Sequence, residues 1–561
     1  MCLEAGCGAC IVSARKFDGD IQQSVNSCMV SITSCQDWDI TTIEKIGNRL
    51  IGYHPIQLTL AKNNGTQCGY CSPGWVMALY SLLKSKKMTM LEIEKSFGSN
   101  ICRCTGYRPI LEAFKKFASD SPHTLEIPDI EDLKICAKTN KACSSKSCDE
   151  IDWCFVKSSE ISNQIKYINL KDHREWYRVE TLSDIFNIWQ ERGEQSYMLV
   201  NGNTGKGVIP IFKYPKILID ISGLSELKGF YIDQNLVIGA GTTLTDTMNI
   251  FAKVANFDYF SYLNVLNEHL NLVAHIPVRN LGSIAGNLML KHRNPEFQSD
   301  IFLLLETVGA QLVILYDHGS SKTLTMLDFL VENMTGKIIL SVLLPPLSKE
   351  HNVVTFKIMP RSQNAHAIVN AGFNYKLDHE NKVMDCRIVY GGLSPIFNRA
   401  LLTEQCLVGK PLFTNETLQS ALKILNEELI VTLHLPEFPV EYRRQLALNL
   451  FYKGLLSLCP LEISLPNYRS GAIKLHETRP VSQGLQEFTT DPSIWPINQP
   501  IPKLDGLIQC AGESKYSEDL PSLPHEVYAA FVLTTVPLGT IESIDSSEAL
   551  KENGVIAFYK A

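Results

Sequence analysis

A multidomain α+β fold is predicted by three observations. At about 150 residues per domain, a chain of 561 residues is too long for one ordinary domain and corresponds to three or four. The stretch Met1–Tyr107 holds two four-cysteine groups, the first set among strand-like residues and the second among helical ones. Beyond Val179 short apolar strands alternate with helical runs to about Pro345, and a further α/β segment fills 350–459.

Taken in order, Cys2, Cys7 and Cys10 form C-x4-C-x2-C, and Cys28 follows in a segment that reads as a strand. This is the plant-type spacing for a 2Fe-2S cluster, whose two irons each need two soft anionic ligands besides the bridging sulfides. Gly6, Gly8 and Ala9 let backbone N–H groups approach the sulfurs. Ile11–Ser13 reads as a strand leading to Asp18-Gly19, a hairpin signal, and Ile21–Ile32 as the returning strand region.

The second group is Cys68 and Cys71 in GTQCGYCSPG and Cys102 and Cys104 in NICRCTGYRP. Pro73 opens the apolar run Gly74–Leu83 and Pro109 opens Ile110–Ala118, which predicts a helix after each ligand pair. The positive ends of those helix dipoles favour an anionic cluster. Thr89 and Glu92 form a capping box for a helix between them. The alternative for both groups is structural zinc, which C-x2-C knuckles also serve. Against zinc stand the C-x4-C-x2-C run and the C-x-C half-site.

Residues 119–165 read as a linker, polar and without a steady period. Cys136, Cys143, Cys148 and Cys154 lie in it; exposed linker thiols are the default reading, with a third metal site as the alternative. Strands are expected at Ser196–Val200, Lys216–Asp220 and Leu236–Ile238. Two loops stand out, LVNGNTGKG from Leu199 to Gly207 and NLGSIAGN from Asn280 to Asn287. Both offer N–H groups with little side chain in the way, which suits a pyrophosphate, and ordinary turns are the alternative. Neither is a G-x-G-x-x-G fingerprint. Further strands are expected at Val353–Ile358, Ala367–Tyr375 and Met384–Tyr390, and a Ser/Pro/Thr/Gln-rich linker at 461–502.

Composition restricts the function classes. With 45% hydrophobic and 20% charged residues the chain is an ordinary globular protein. A net charge of −7 argues against nucleic acid and anionic membranes as principal partners. No apolar run reaches the ~18 residues of a membrane span, and MCLEAGCGAC is unlike a signal peptide. A cytosolic protein with reduced thiols is therefore expected among its 17 cysteines.

The segments GCGAC, QCGYCSPG and CRCTGYRPI resemble the iron–sulfur half of the xanthine dehydrogenase and aldehyde oxidase family of molybdenum hydroxylases. The resemblance implies a β-grasp 2Fe-2S ferredoxin-like domain at 1–48, with Cys2, Cys7, Cys10 and Cys28 holding the outer cluster, and a four-helix 2Fe-2S domain at 49–120, with Cys68, Cys71, Cys102 and Cys104 holding the inner one. It implies that Gln67 and Cys104 contact the pterin of a molybdenum cofactor, and that Leu3 and Ala5 stand where the family often has glycine. After the linker at 121–165, it implies a vanillyl-alcohol-oxidase-type FAD domain at 166–348. There Leu199, Val200, Asn201, Gly202, Asn203, Thr204, Gly205 and Lys206 line the adenine and diphosphate, and Ala274, Ser283, Ile284, Ala285, Gly286 and Asn287 form a second wall. Asp300 matches a flavin-contacting aspartate, and Ile339 and Lys357 match positions that touch the cofactor; Lys357 read alone is equally a solvated charge.

Residues 349–460 resemble the C-terminal lobe of the flavin domain, and 503–561 the hairpin and strands that start a molybdenum domain. The catalytic residues of the molybdenum site are not in this chain, which on the resemblance is expected to be truncated at its C-terminus and also at its N-terminus. In PRSQNAHAIVNAG, Gln363, Asn364 and Ala365 stand where dehydrogenases tend to be acidic, a likeness that favours dioxygen over NAD as terminal acceptor. The family oxidises aldehydes or N-heterocycles as homodimers. The remaining alternatives are a xanthine dehydrogenase-like enzyme using NAD and a stand-alone iron–sulfur/flavin electron-transfer subunit.

Overall fold

The computed structural model describes residues 2–16, 21–122, 166–433, 438–475, 480–484, 489–497, 501 and 503–560. The Asp18-Gly19 turn and the four linker cysteines lie outside them. Two compact units are present, 1–514 and 515–561.

At the N-terminus β1 (Ile11–Arg15) pairs antiparallel with both β2 (Gln23–Asn26) and β3 (Asp39–Thr41) in a three-stranded sheet ordered β2-β1-β3. Strand β2 stops at Asn26, so Cys28 lies in the following turn and not in the strand expected for it. The turn is closed by hydrogen bonds from the Ser27 N–H and hydroxyl to the Cys10 carbonyl, at 3.2 and 2.9 Å, which leave Cys28 beside Cys10.

Five helices follow: α1 (Ile43–Ile46), α2 (Pro55–Lys62), α3 (Ser72–Ser85), α4 (Met90–Lys95) and α5 (Arg108–Lys115). Helices α3 and α5 start where Pro73 and Pro109 place them, and the Thr89/Glu92 capping box closes with Thr89 N–H donating to Glu92 at 2.8 Å. They share one core in which Trp75, Phe97 and Phe114 stack with ring centroids 5.1 to 6.1 Å apart.

The middle of the chain builds two sheets. One is ordered β4-β5-β7-β6, from β4 (Lys166–Asn169), β5 (Glu175–Arg178), β6 (Tyr197–Val200) and β7 (Ile217–Asp220), with β5, β7 and β6 parallel. The other is antiparallel and ordered β11-β10-β12-β9-β8, from β8 (Phe230–Asp233), β9 (Asn235–Gly239), β10 (Gln311–Leu315), β11 (Ser321–Thr325) and β12 (Ile338–Leu344). The helices here are α6 (Leu182–Arg192), α7 (Leu244–Val254), α8 (Leu263–Leu270), α9 (Ile276–Arg279), α10 (Ile284–Arg293), α11 (Asp300–Val308) and α12 (Met326–Val331). Helix α11 is buried along its whole length and forms the centre of this region's largest core.

A third antiparallel sheet, β13-β14-β15-β16, is made by β13 (His351–Ile358), β14 (Val369–Leu377), β15 (Val383–Gly391) and β16 (Asn398–Arg399). It is packed by α13 (Leu401–Leu407), α14 (Asn415–Glu428) and α15 (Val440–Leu458). Inside this lobe Arg443 is 1% exposed and donates to the carbonyls of Gly392 (2.7 Å), Leu393 (3.3 Å) and Phe438 (3.0 Å). Each carbonyl left unpaired costs about 1–3 kcal/mol. Arg443→Met is therefore expected to lower the melting temperature by about 6–12 °C, from ~3 kcal/mol at the slope of a domain this size. A melting curve indistinguishable from wild type would refute the role.

After the exposed 461–475 stretch the chain returns to the helical region. Ser482 donates from N–H and hydroxyl to Glu94, at 3.0 and 2.8 Å, and α16 (Gly506–Cys510) packs on α2 and α3. The second unit forms no strand among its described residues, unlike the hairpin and strands expected at 503–561. Phe531, Val532 and Leu533 are 95, 85 and 80% exposed, so the apolar run there has neither a core to cover nor a partner strand in its unit.

Candidate iron–sulfur and flavin sites

The first cysteine set surrounds a loop bent by left-handed residues: Leu3 (φ 60°), Ala5 (φ 59°) and Gly8 (φ 72°). For Leu3 and Ala5 this conformation costs about 1–2 kcal/mol each, which accounts for glycine being favoured there. The turns aim N–H groups at sulfur. Burial opposes ionisation of Cys2, but the N–H groups of Glu4, Cys7 and Gly6 and the Cys7 thiol outweigh it and pull its thiol down. Cys10 is pushed down to about 5, first by a hydrogen bond from the Cys28 thiol and also by Asn26, whose Nδ2 lies 3.6 Å from Cys10 Sγ. Cys28 is pushed correspondingly up. The thiols thus meet in pairs, Cys2 with Cys7 and Cys10 with Cys28.

The second set is assembled by helix starts. Cys71 immediately precedes α3, and Cys102 and Cys104 precede α5. Burial, and then the neighbouring Cys102 and Cys68, push the Cys71 thiol up to about 12. Burial also opposes the ionisation of Cys102, but its thiol is lowered by the Thr105 hydroxyl at 3.1 Å, nearby N–H groups and Cys71. Cys68 and Cys104 are exposed, as is Gln67, whose carbonyl accepts from Lys503. Among the described residues no group of three or more His, Cys, Asp or Glu side chains is placed to hold a metal ion. Thiols approaching in pairs suit a two-iron cluster with two cysteines per iron.

The two sets touch. Ile101 N–H donates to the Cys7 carbonyl at 3.0 Å, one residue from Cys102. Gly74 of α3 abuts Gly8: a Cβ at Gly74 would lie 2.2 Å from the Gly8 carbonyl oxygen.

On the other side of the first loop lies a cavity of about 520 Å³. Its walls include Leu199, Val200, Asn201, Gly202, Asn203, Thr204, Gly205 and Lys206 from the first glycine-rich loop, and Ala274, Ser283, Ala285, Gly286 and Asn287 from the second. Asp300, Ile339 and Lys357 also line it. Ser283 caps α10, its hydroxyl accepting from Gly286 N–H at 3.1 Å, so the N-terminus of a ten-residue helix faces the space and favours negative charge. Ile284 does not line the cavity: as the first residue of α10 its side chain turns into the core, where it is 3% exposed. The two loops clasp at Gly202, where a Cβ would fall 1.9 Å from the Leu281 carbonyl oxygen.

At the far wall the Asp300 carboxylate is buried against Lys357 Nζ (2.8 Å), His269 Nε2 (3.3 Å) and Asn370 Nδ2 (2.7 Å). Burial alone would raise its pKa, but Lys357 and His269 hold it well below the carboxylate range. Lys357 is 2% exposed and donates to the Leu272 carbonyl at 3.0 Å, which removes the reading of a solvated charge.

The cavity also takes residues that no sequence pattern indicated: Glu4 and Ala5 of the first cysteine loop, and His275. His275 is 4% exposed and its Nε2 lies 2.6 Å from the Ala5 carbonyl. A carbonyl only accepts, so Nε2 carries the proton and Nδ1 is a buried acceptor without a protein partner. Such an acceptor, with the glycine clasp and the capped helix, fits a polar cofactor with donor groups and a pyrophosphate.

Burial pushes His275 down to about 4, against ~6.5 for an unfolded histidine. A lowered folded pKa contributes stability that is complete above ~6.5 and lost at about 1.4 kcal/mol per pH unit as pH falls towards 4. His54, pushed down to about 4 by burial, adds to the same loss. Melting at pH 7 and pH 5 is expected to show this destabilisation, reduced in His275→Asn. An equal pH dependence in that variant would remove His275 from the account.

Three domain families match the chain: a [2Fe-2S] binding domain over residues 42–115, an FAD binding domain in molybdopterin dehydrogenase over 169–347, and a CO dehydrogenase flavoprotein C-terminal domain over 354–458. Xanthine dehydrogenase 2 of Arabidopsis thaliana is 30% identical over 100% of this chain and 45% of its own length. Aldehyde oxidase 3 of Rattus norvegicus is 29% identical over 99% of this chain and 44% of its own. Probable aldehyde oxidase 4 of Oryza sativa subsp. japonica is 30% identical over 100% of this chain and 72% of its own. The chain thus spans somewhat less than half the length of the first two relatives and most of the third. Among solved structures, quinoline 2-oxidoreductase from Pseudomonas putida 86 aligns with 50% of this chain and 94% of its own at 20% identity and a TM-score of 0.42. No helix among the described residues is long and apolar enough to cross a membrane.

Proposed function

From a chain that belongs to the xanthine dehydrogenase and aldehyde oxidase family, we propose the electron relay of an aldehyde-oxidase-type molybdenum hydroxylase. Electrons from a molybdenum centre pass through an inner and an outer 2Fe-2S cluster to FAD. The observation that carries this reading is the continuous contact between the sites. Ile101 N–H reaches the Cys7 carbonyl, and three residues further along the chain Cys104 lies at the exposed edge where it and Gln67 would meet a pterin. Two residues before Cys7, the Ala5 carbonyl is held by His275 in the wall of the flavin cavity.

When bound, the clusters supply one-electron steps and the flavin joins them to a two-electron acceptor. The protein's own part is placement and screening. Cys2, Cys7, Cys10 and Cys28, and Cys68, Cys71, Cys102 and Cys104, would hold the irons. The two glycine-rich loops would hold the diphosphate, and the buried Asp300–Lys357 pair would orient the isoalloxazine end. Burial of Cys10 and Cys102 keeps water from part of each cluster and so bears on its potential.

Dioxygen is the proposed acceptor, yielding hydrogen peroxide. It is supported by Asn364 and Ala365, uncharged residues in the cavity wall, and by neighbouring Gln363, which donates to the Lys95 carbonyl at 3.1 Å. The whole protein is proposed to be a cytosolic homodimer oxidising small aldehydes or N-heterocycles, with 503–561 as the start of its molybdenum domain. Iron, acid-labile sulfide, zinc and flavin counted per purified chain test the relay. About four irons, four sulfides and one flavin are expected for two 2Fe-2S sites and one FAD. Zinc without sulfide overturns the reading, and NAD reduction in place of peroxide formation by the complete protein overturns the choice of acceptor.

A further inference from the structure

Between the two cysteine sets lies an amide whose bonding is half complete. Asn100, two residues before Cys102, is 3% exposed. The Ser99 hydroxyl donates to its Oδ1 at 2.9 Å. Its Nδ2, with two hydrogens to give, has no protein partner. A buried donor left unpaired costs about 1–3 kcal/mol, so such a group points to a ligand.

The position of Nδ2 beside the first cysteine loop points to that ligand. A Cβ built on Gly8, the residue after Cys7, would fall 2.8 Å from both Asn100 Nδ2 and the Ser99 carbonyl oxygen. Gly8 has φ 72°, and its bare Cα lets the amide approach the loop. The peptide next to Asn100 is fixed to the same loop by Ile101 N–H on the Cys7 carbonyl. The groups that would fill the centre of the loop are sulfurs, of the cysteines or of the cluster, and sulfur is an acceptor.

We propose that Asn100 donates an N–H···S hydrogen bond to the outer cluster and thereby sets its reduction potential above that of a cluster lacking it. Reduction adds one negative charge to the cluster, and a donor to sulfur stabilises the reduced form more than the oxidised one. Asn100 is thus a cofactor-contacting donor contributed by the inner-cluster domain to the outer cluster. It biases the electron toward the flavin side of the relay. This rests on the reading that Cys2, Cys7, Cys10 and Cys28 hold a 2Fe-2S cluster.

The test is an EPR-monitored redox titration of the purified whole chain, wild type against Asn100→Asp and Asn100→Leu, with iron counted in each. About four irons per chain are expected in all three. The outer-cluster midpoint is expected to fall by at least a tenfold change in its redox equilibrium, 59 mV for one electron, further for Asp than for Leu, with the inner cluster and flavin unmoved. An unchanged outer midpoint at full iron, or a shift of the inner cluster alone, overturns the proposal. Should the variants lose iron, wild-type protein carrying side-chain 15N-asparagine gives the answer by pulsed EPR of the reduced outer cluster. Two amide couplings are expected, from Asn26 and Asn100, and one alone overturns the proposal. About two irons in the wild type would instead overturn the underlying cluster reading.

Discussion

Gly202→Ala is expected to lose its flavin and to keep its iron. The methyl group would be 1.9 Å from the Leu281 carbonyl oxygen and 2.4 Å from its carbon. Both atoms belong to backbone, so no rotamer change relieves the contact and the two glycine-rich loops must part. They form opposite walls of the cavity, and a cofactor that touches both loses one of them. Flavin binding at least hundredfold weaker is expected, about 2.8 kcal/mol. Gly205→Ala is the matched control, because its Cβ meets only the Leu290 methyl groups, at 3.6 and 3.9 Å. Equilibrium dialysis of FAD against both variants reads the difference; wild-type affinity in Gly202→Ala would mean that the loops move freely and the clasp is incidental.

Cys71→Ser is expected to halve the iron. Cys71 is a proposed ligand beside Cys102 and stands at the N-cap position of α3. The Cys71 side chain makes no capping bond, so serine removes the thiolate without touching the helix start, and α3 should persist while the inner cluster is lost. Iron near two per chain, with flavin retained, is the expected count. The demanding part concerns the outer cluster, whose loop leans on α3 through Gly74 and on Ile101 through Cys7. Loss of all iron together with flavin would show that the cysteine domains and the flavin domain fold as one cooperative unit.

How far the sequence could be read follows the range of the interactions involved. Pro73, Pro109 and the Thr89/Glu92 box announce their helices because each signal acts within one turn of chain. Strands β13, β14 and β15 were legible from their own apolar content. Cys28 was misplaced because the end of β2 is decided by Ser27 bonding back to Cys10. The Ile284 side chain leaves the cavity wall for the core because a motif names a stretch of residues, whereas successive side chains of a helix point about 100° apart. Lys357 was ambiguous until Asp300, 57 positions earlier in the chain, appeared beside it. His275 and Asn100 carry no local signal. The importance of His275 comes from Ala5, 270 positions away, and that of Asn100 from Gly8.

The return of the chain onto the helical domain bears on how the protein would behave if its backbone were cut. Downstream of residue 497, Lys503 holds the Gln67 carbonyl, Gln509 Nε2 donates to the Cys68 carbonyl at 3.3 Å, and Glu513 meets Arg49 and Tyr53. These grips act together, so once one closes the others form at high local concentration. A protease nick in the exposed 489–497 stretch would therefore leave two polypeptides that co-elute as one particle. The cut would be visible only on a denaturing gel. The route from cluster to flavin lies wholly upstream of such a nick, so electron flow along it would survive the break.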